Sequence, residues 1–195
     1  MMFEIPISLE VGGEQLSIRN NGDYRVVLDC FSALNDVELT KEERVYSALI
    51  IFYEKFNTLE DLTASPNLNE AVKQMYWFFN CGDDKGVGAK KHRKLIDWEG
   101  DSQLIASAVN KVANTEIRAL PYLHWWTFMG YYLAIGESPL ATIVGIRSKI
   151  SENKKLEKYE QKFKNDNPQY FIWDSKNIEE KEAEEELESL WNSGV

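Results

Sequence analysis

The run from Pro121 to Ile135, PYLHWWTFMGYYLAI, limits the possible folds more than any other stretch, because it gathers six of the chain's 24 aromatic residues. Tyr122, Trp125, Trp126, Phe128, Tyr131 and Tyr132 are interleaved with Leu123, Met129, Leu133 and Ile135, so a helix built from it has no clear polar face. Such a helix must be covered on several sides, by other helices or by lipid. Lipid suits it poorly: the uncharged run from Ala119 to Ile135 is at the lower limit for a span, contains Pro121 and His124, and carries its Trp and Tyr mid-segment instead of at the two interfaces. The expectation is a central buried helix and no membrane association. Leu120-Pro121 should open it, since proline at the first helical position loses no hydrogen bond, and Gly136 should close it.

Composition limits what can surround that helix. The 195 residues, 44% hydrophobic, can bury one sizeable core. A net charge of −10 repels phosphate backbones, so nucleic acid is not an expected partner. Met1 to Ile18 lacks the basic start and apolar core of a signal peptide. Cys30 and Cys81 lie in helix-like apolar patterns without metal or redox spacing and read as free thiols.

Along the chain, Ile5, Ile7, Leu9 and Val11 alternate up to Gly12-Gly13, after which Leu16 and Ile18 alternate again, which predicts a β-hairpin over 2–19. Asp23 should cap a helix running to about Leu34 with Val27, Cys30, Phe31 and Leu34 on one face. Thr40 and Glu43 form a capping box for a second helix carrying Val45, Leu49, Phe52, Tyr53 and Phe56. Residues 57–67 read as a polar connection. A third helix should span Glu70 to Cys81 and stop at Gly82. The stretch 82–94, GDDKGVGAKKHRK, breaks all periodicity and reads as a mobile loop. Asp97 or Asp101 should cap a helix with Leu104, Ile105, Ala108, Val109 and Val112 buried, and Ser138-Pro139 should start another. LEKYEQKFKN is thinly amphipathic, and an acidic stretch closes the chain. The predicted fold is mainly α with a small β-hairpin: six or seven helices around the aromatic one, in a single domain over 1–165, with an acidic extension over 166–195.

No residue pattern nominates a catalytic, cofactor or metal site. His124 could serve as a ligand or base only if a carboxylate or thiol approached it; a ring packed on an apolar helix is the simpler expectation. Gly82, Gly86 and Gly88 before Lys90-Lys91 lack the glycine directly before Lys-Ser or Lys-Thr that a phosphate loop requires. The basic run Lys90 to Lys94 has no interleaved aromatics and reads as a solvated loop or a contact for an acidic partner. Asp97, Glu99 and Asp101 alternate like calcium ligands, but Ser102 stands where that loop needs glycine, and carboxylates at a helix N-terminus explain them. In the acidic extension Ala183, Leu187, Leu190 and Trp191 fall on one helical face, which would suit either a solvated helix or a handle for a partner.

EIPISLEVGGEQLSIR, DYRVVLDCFSALND, MYWFFNCG, LIDWEGDSQLIASAVNKV and above all EIRALPYLHWWTFMGYYLAIGE followed by TIVGIRSKI resemble the bacteriophage gene-product-fifteen family, over about residues 3–165. The resemblance implies a noncatalytic tail assembly chaperone, encoded before the tape measure gene of long-tailed phages and prophages of Gram-positive bacteria. It would bind the tape measure protein, with the tail tube protein and further copies of itself as additional partners. It would act in the host cytoplasm and be absent from the mature virion. The alternative is a structural component retained at a tail end or head-tail joint. A tape measure exposes apolar helical stripes before it is enclosed, and an acidic helical protein could cover them while its charge resists aggregation. Trp77, Trp98, Trp125 and Trp126 are the expected anchors, with Leu187, Leu190 and Trp191 on the extension, because Trp contributes disproportionately at interfaces. Adjacent Trp125 and Trp126 diverge by about 100° on a helix, so one of them is expected in the core.

Overall fold

In the computed structural model residues 4–83 and 95–171 are described. They form one two-stranded antiparallel sheet and eight α-helices, as expected of a mainly α chain with a small hairpin. The chain divides into two compact units, Met1–Ala89 with Leu120–Gly130 and Lys90–Ala119 with Tyr131–Val195.

The first unit opens with β1 (Ser8–Val11) and β2 (Glu14–Ser17), paired so that Leu9 faces Leu16 and Val11 faces Glu14. Gly12 and Gly13, both at positive φ, supply the tight turn that matches strand twist. The alternation buries Leu9, Val11, Leu16 and Ile18, whereas Ile5 and Ile7 remain exposed ahead of the ladder.

Helix α1 (Tyr24–Leu34) starts where expected, its cap Asp23 accepting from the backbone N–H of Arg25. Helix α2 (Lys41–Phe52) has the anticipated capping box, in which Thr40 and Glu43 satisfy each other's backbone N–H groups. It stops at Phe52, earlier than the apolar spacing through Phe56 predicts, because Tyr53 turns to extended backbone and bridges Ile18 beside the hairpin. Arg19 fills the orphaned end of α2, its guanidinium donating to the carbonyls of Ile50, Ile51 and Tyr53 at 3.0–3.1 Å. The connection expected over 57–67 contains a short helix, α3 (Leu59–Thr63), started by a second capping box, Thr58 with Asp61. Helix α4 (Leu68–Phe79) ends in a Schellman turn, with the N–H of Gly82 on Trp77 O and that of Cys81 on Phe78 O. Both Cys81 and the expected stop Gly82 have positive φ, at +54° and +82°.

In the second unit α5 (Ser102–Ala113) packs against α7 (Pro139–Ser151). Ser138 caps α7 by accepting from Ala141 N–H. The buried face of α5 is Ile105, Ala106, Ala108 and Val109; Leu104 and Val112 are only partly covered. Helix α8 (Lys158–Asp166) follows, tied back by Lys149, whose ammonium meets the buried carboxylate of Glu160 at 2.7 Å.

The aromatic run departs from expectation. Helix α6 is only Trp125–Leu133, with the unit boundary between Gly130 and Tyr131. Residues 120–124 do not start it, because Leu123 is held in an extended pairing: its N–H donates to the Asp23 carboxylate at 2.8 Å and its carbonyl accepts from Tyr24 N–H at 2.9 Å. Nor does Gly136 take the left-handed conformation of a helix stop. The helix is not covered all round: Trp125 and Phe128 are buried, while Thr127, Gly130 and Leu133 are exposed, Leu133 at 75%. Among the described residues no helix is long and apolar enough to cross a membrane.

Candidate functional site

The C-terminus of α4 and the start of α6 build the most distinctive site of the first unit. A helix ends with four carbonyls that lack partners in the next turn, and here all four are met. Tyr76 O accepts from Asn80 N–H, Trp77 O from Gly82 N–H and Phe78 O from Cys81 N–H. The adjacent indoles supply the rest: Trp125 Nε1–H donates to Phe79 O and Trp126 Nε1–H to Phe78 O, both at 2.9 Å. The Trp-Trp pair therefore clasps the end of α4.

The two rings then diverge. Trp125 is 1% exposed, stacked on Phe128 and edge-on to Phe31, so it belongs to the core and cannot serve as a surface anchor in this conformation. Trp126 stays partly exposed and meets Trp77 edge-to-face, with ring centres 5.5 Å apart. Both lie over Gly82, where a Cβ would come within 3.1 Å of the Trp126 ring and 3.3 Å of the Trp77 ring. The small residue lets two large ones close together.

His124 holds α6 in place. Its Nδ1 accepts from Trp126 N–H at 3.1 Å, capping the helix, and its Nε2 lies 3.0 Å from Pro6 O. These partners select the neutral ring with the proton on Nε2, which donates to the carbonyl. Burial lowers the pKa of His124, against the opposing influence of the Pro6 carbonyl and of Asp23. Both ring nitrogens are engaged by backbone, so the ring acts as a cap and a strap to the hairpin. Gly22, at φ +77°, leaves room for it: a Cβ there would fall 2.7 Å from Phe78 and 3.0 Å from His124 Nε2.

The remaining expected anchors lie apart. Trp98 is partly exposed in the second unit, its ring centre 5.3 Å from that of Tyr132. Leu187, Leu190 and Trp191, and the loop and basic run over 84–94, lie outside the described residues. The structure thus brings together Trp77 and Trp126 and sets Trp125 beneath them.

Two organising residues escape the sequence analysis. Asp23, expected only as a cap, also takes Leu123 N–H and pairs with Arg25 at 3.0 Å. Arg147 donates to both oxygens of buried Asp101, at 2.5 and 3.1 Å, and to the carbonyls of Leu95 and Tyr170. A signal existed: Arg147 falls four residues after Ile143 and seven after Leu140, on the apolar stripe of α7, where a charge requires a buried partner. The Asp97, Glu99 and Asp101 set is engaged internally, Asp101 by Arg147 and Asp97 by Glu99 N–H. Among the described residues no group of three or more His, Cys, Asp or Glu could hold a metal. Cys30 is buried and its thiol pKa is raised by burial; that of Cys81 is pushed up to about 11 by the same cause.

A family model described as Bacteriophage Gp15 protein matches residues 2–171. No curated protein and no solved structure matches the chain.

Proposed function

The chain belongs to the bacteriophage Gp15 family, and from that premise we propose that it is a noncatalytic tail assembly chaperone that binds the tape measure protein in the host cytoplasm and leaves before the virion is complete. The observation that carries this reading is the partly exposed pair Trp77 and Trp126, presented on the rigid, fully capped end of α4. Two adjoining indoles offer a large apolar contact at little entropic cost, which suits an apolar stripe on a client helix. Trp98 offers a second such contact on the other unit. The chain's −10 charge would keep client and chaperone soluble while apolar surface is in transit. The tail tube protein and further copies of this chain are the additional partners of this reading.

Co-expression with the tape measure protein and pull-down tests it. Trp77→Ala leaves the indole clasp on α4 intact and is expected to weaken capture by about tenfold or more, with an unchanged circular dichroism spectrum. Undiminished capture by Trp77→Ala and Trp98→Ala variants would remove the assignment. Mass spectrometry of purified particles decides the role: a chaperone is abundant in infected cells and nearly absent from virions, whereas stoichiometric retention would make the chain a structural component.

A further inference from the structure

Helix α8 presents a basic face. Lys158 and Lys162 lie one turn apart on it, Lys155 precedes it, and all three are exposed, with Tyr159 between them 67% exposed. Among the described residues Lys155 and Lys158 carry no ion pair, and Lys162 pairs only with Asp166 of its own helix, at 2.6 Å. The chain is otherwise acidic, and its acid is concentrated: residues 172–195 contain eight of the 32 carboxylate side chains and two of the 22 Lys and Arg. That segment follows Phe171, whose ring packs edge-on against Phe163 of the same α8, so the acid is tethered to the helix that carries Lys158 and Lys162.

We propose that the segment 172–195 docks in cis on this face, its glutamates 184–188 against Lys155, Lys158 and Lys162, and Leu187, Leu190 or Trp191 against the Tyr159 ring. The charges and the apolar groups are complementary at once, since EEELESLW offers both carboxylates and large apolar side chains while the α8 face offers ammonium groups around one exposed aromatic. Reach is sufficient: the seventeen residue steps from Phe171 to Glu188 allow a span of up to about 55 Å, against about 13 Å for the length of α8. Because the segment is covalently joined to α8 the contact is intramolecular, so individually weak exposed ion pairs add to a populated contact. In that state the segment and the α8 face mask each other, and a partner for either must displace the other. This goes beyond the chaperone reading and holds whether or not that reading does.

Zero-length carbodiimide cross-linking of the full-length chain at low protein concentration, read by mass spectrometry, tests the contact. The expected result is amide links from Lys155, Lys158 or Lys162 to glutamates 184–188 within one chain, with yield falling by about fivefold or more in 0.5 M salt and in the Lys155→Gln/Lys158→Gln variant. The Lys162–Asp166 link serves as the internal control. If that link forms and those glutamates join Lys90, Lys91 or Lys94 instead, join a second, isotope-labelled copy, or join nothing, the proposal is overturned.

Discussion

Replacing Arg147 with methionine should damage the second unit more than any other single change to a charged residue. Among the described residues its guanidinium makes donations to Asp101 (two), Tyr170 O (two) and Leu95 O (one). Asp101 is 1% exposed, and without Arg147 its carboxylate keeps, among the described residues, only the Asp97 N–H at 3.1 Å. Removing one partner of a buried pair strands the other charge, a loss of about 3–5 kcal/mol. The carbonyls of Leu95 and Tyr170 are partly exposed and can rehydrate, so they add little. For a chain of this length about 2–4 °C of melting temperature accompanies each kcal/mol, hence a drop of about 6–20 °C if the units melt together. Hydrogen exchange on the amides of α5 and α7 reads the effect locally, where protection should fall by about 100-fold or more. The companion variant Asp101→Asn/Arg147→Met keeps an acceptor for Asp97 N–H but removes the stranded charge, and should recover about half of the loss or more. A loss below about 1 kcal/mol in the single variant, or a double variant no better than the single, would refute the assignment of this pair as a buried, mutually dependent one.

Further predictions follow from the first unit. Trp125→Phe keeps an aromatic ring but removes the pyrrole part of the indole and leaves the buried end of α4 without a donor to Phe79 O, and should cost about 1–3 kcal/mol or more in urea denaturation, whereas Trp126→Phe, beside solvent, should cost less because its carbonyl also has Cys81 N–H. His124 is held neutral, with a folded pKa below the ordinary value near 6.5, so its contribution to stability is complete above pH 6.5 and is lost as pH falls through the folded pKa. His124→Gln should flatten the acid limb of a stability-pH profile; an unchanged limb would show that the ring is not buried neutral. Gly22→Ala forces both a positive φ and contact with Phe78 and His124, and should cost about 2–4 kcal/mol, against about 1 kcal/mol for Gly13→Ala, which has positive φ but open space. Equal losses at the two sites in thermal melts would contradict the packing at Gly22.

What the sequence made legible is what lies within a few residues of itself. The Thr40-Glu43 box, the Asp23 and Ser138 caps and the Gly12-Gly13 turn were predictable because each partner sits two to four positions away and its chemistry is local. The Thr58-Asp61 box that starts α3 has the same form, but five helical residues flanked by polar ones carry no periodicity to mark them as a helix. Contacts closed over long loops were not legible. Arg19 caps a helix 32 residues on, Leu123 N–H finds Asp23 across 100, and the Trp125 indole reaches back 46 to Phe79. No local pattern distinguishes an arginine or indole that will do this from one that will face water.

The aromatic run forms a shorter and less covered helix than its composition predicts. Hydrophobicity all round argued for a post covered on every side, but an apolar residue does not have to be buried, and the backbone had a prior claim on the residues before Trp125. Once Leu123 pairs with Asp23 and His124 turns both ring nitrogens to backbone partners, the helix can begin only at Trp125. Its register then sends Trp125 and Phe128 inward and leaves Thr127, Gly130 and Leu133 outside. The asymmetry of α6 is thus set by hydrogen bonds at its start, and composition could not reveal it. The same register decides which indole is left at the surface: Trp126 reaches the end of α4 from the outer side, and its exposure beside Trp77 is a consequence of where His124 lets the helix begin.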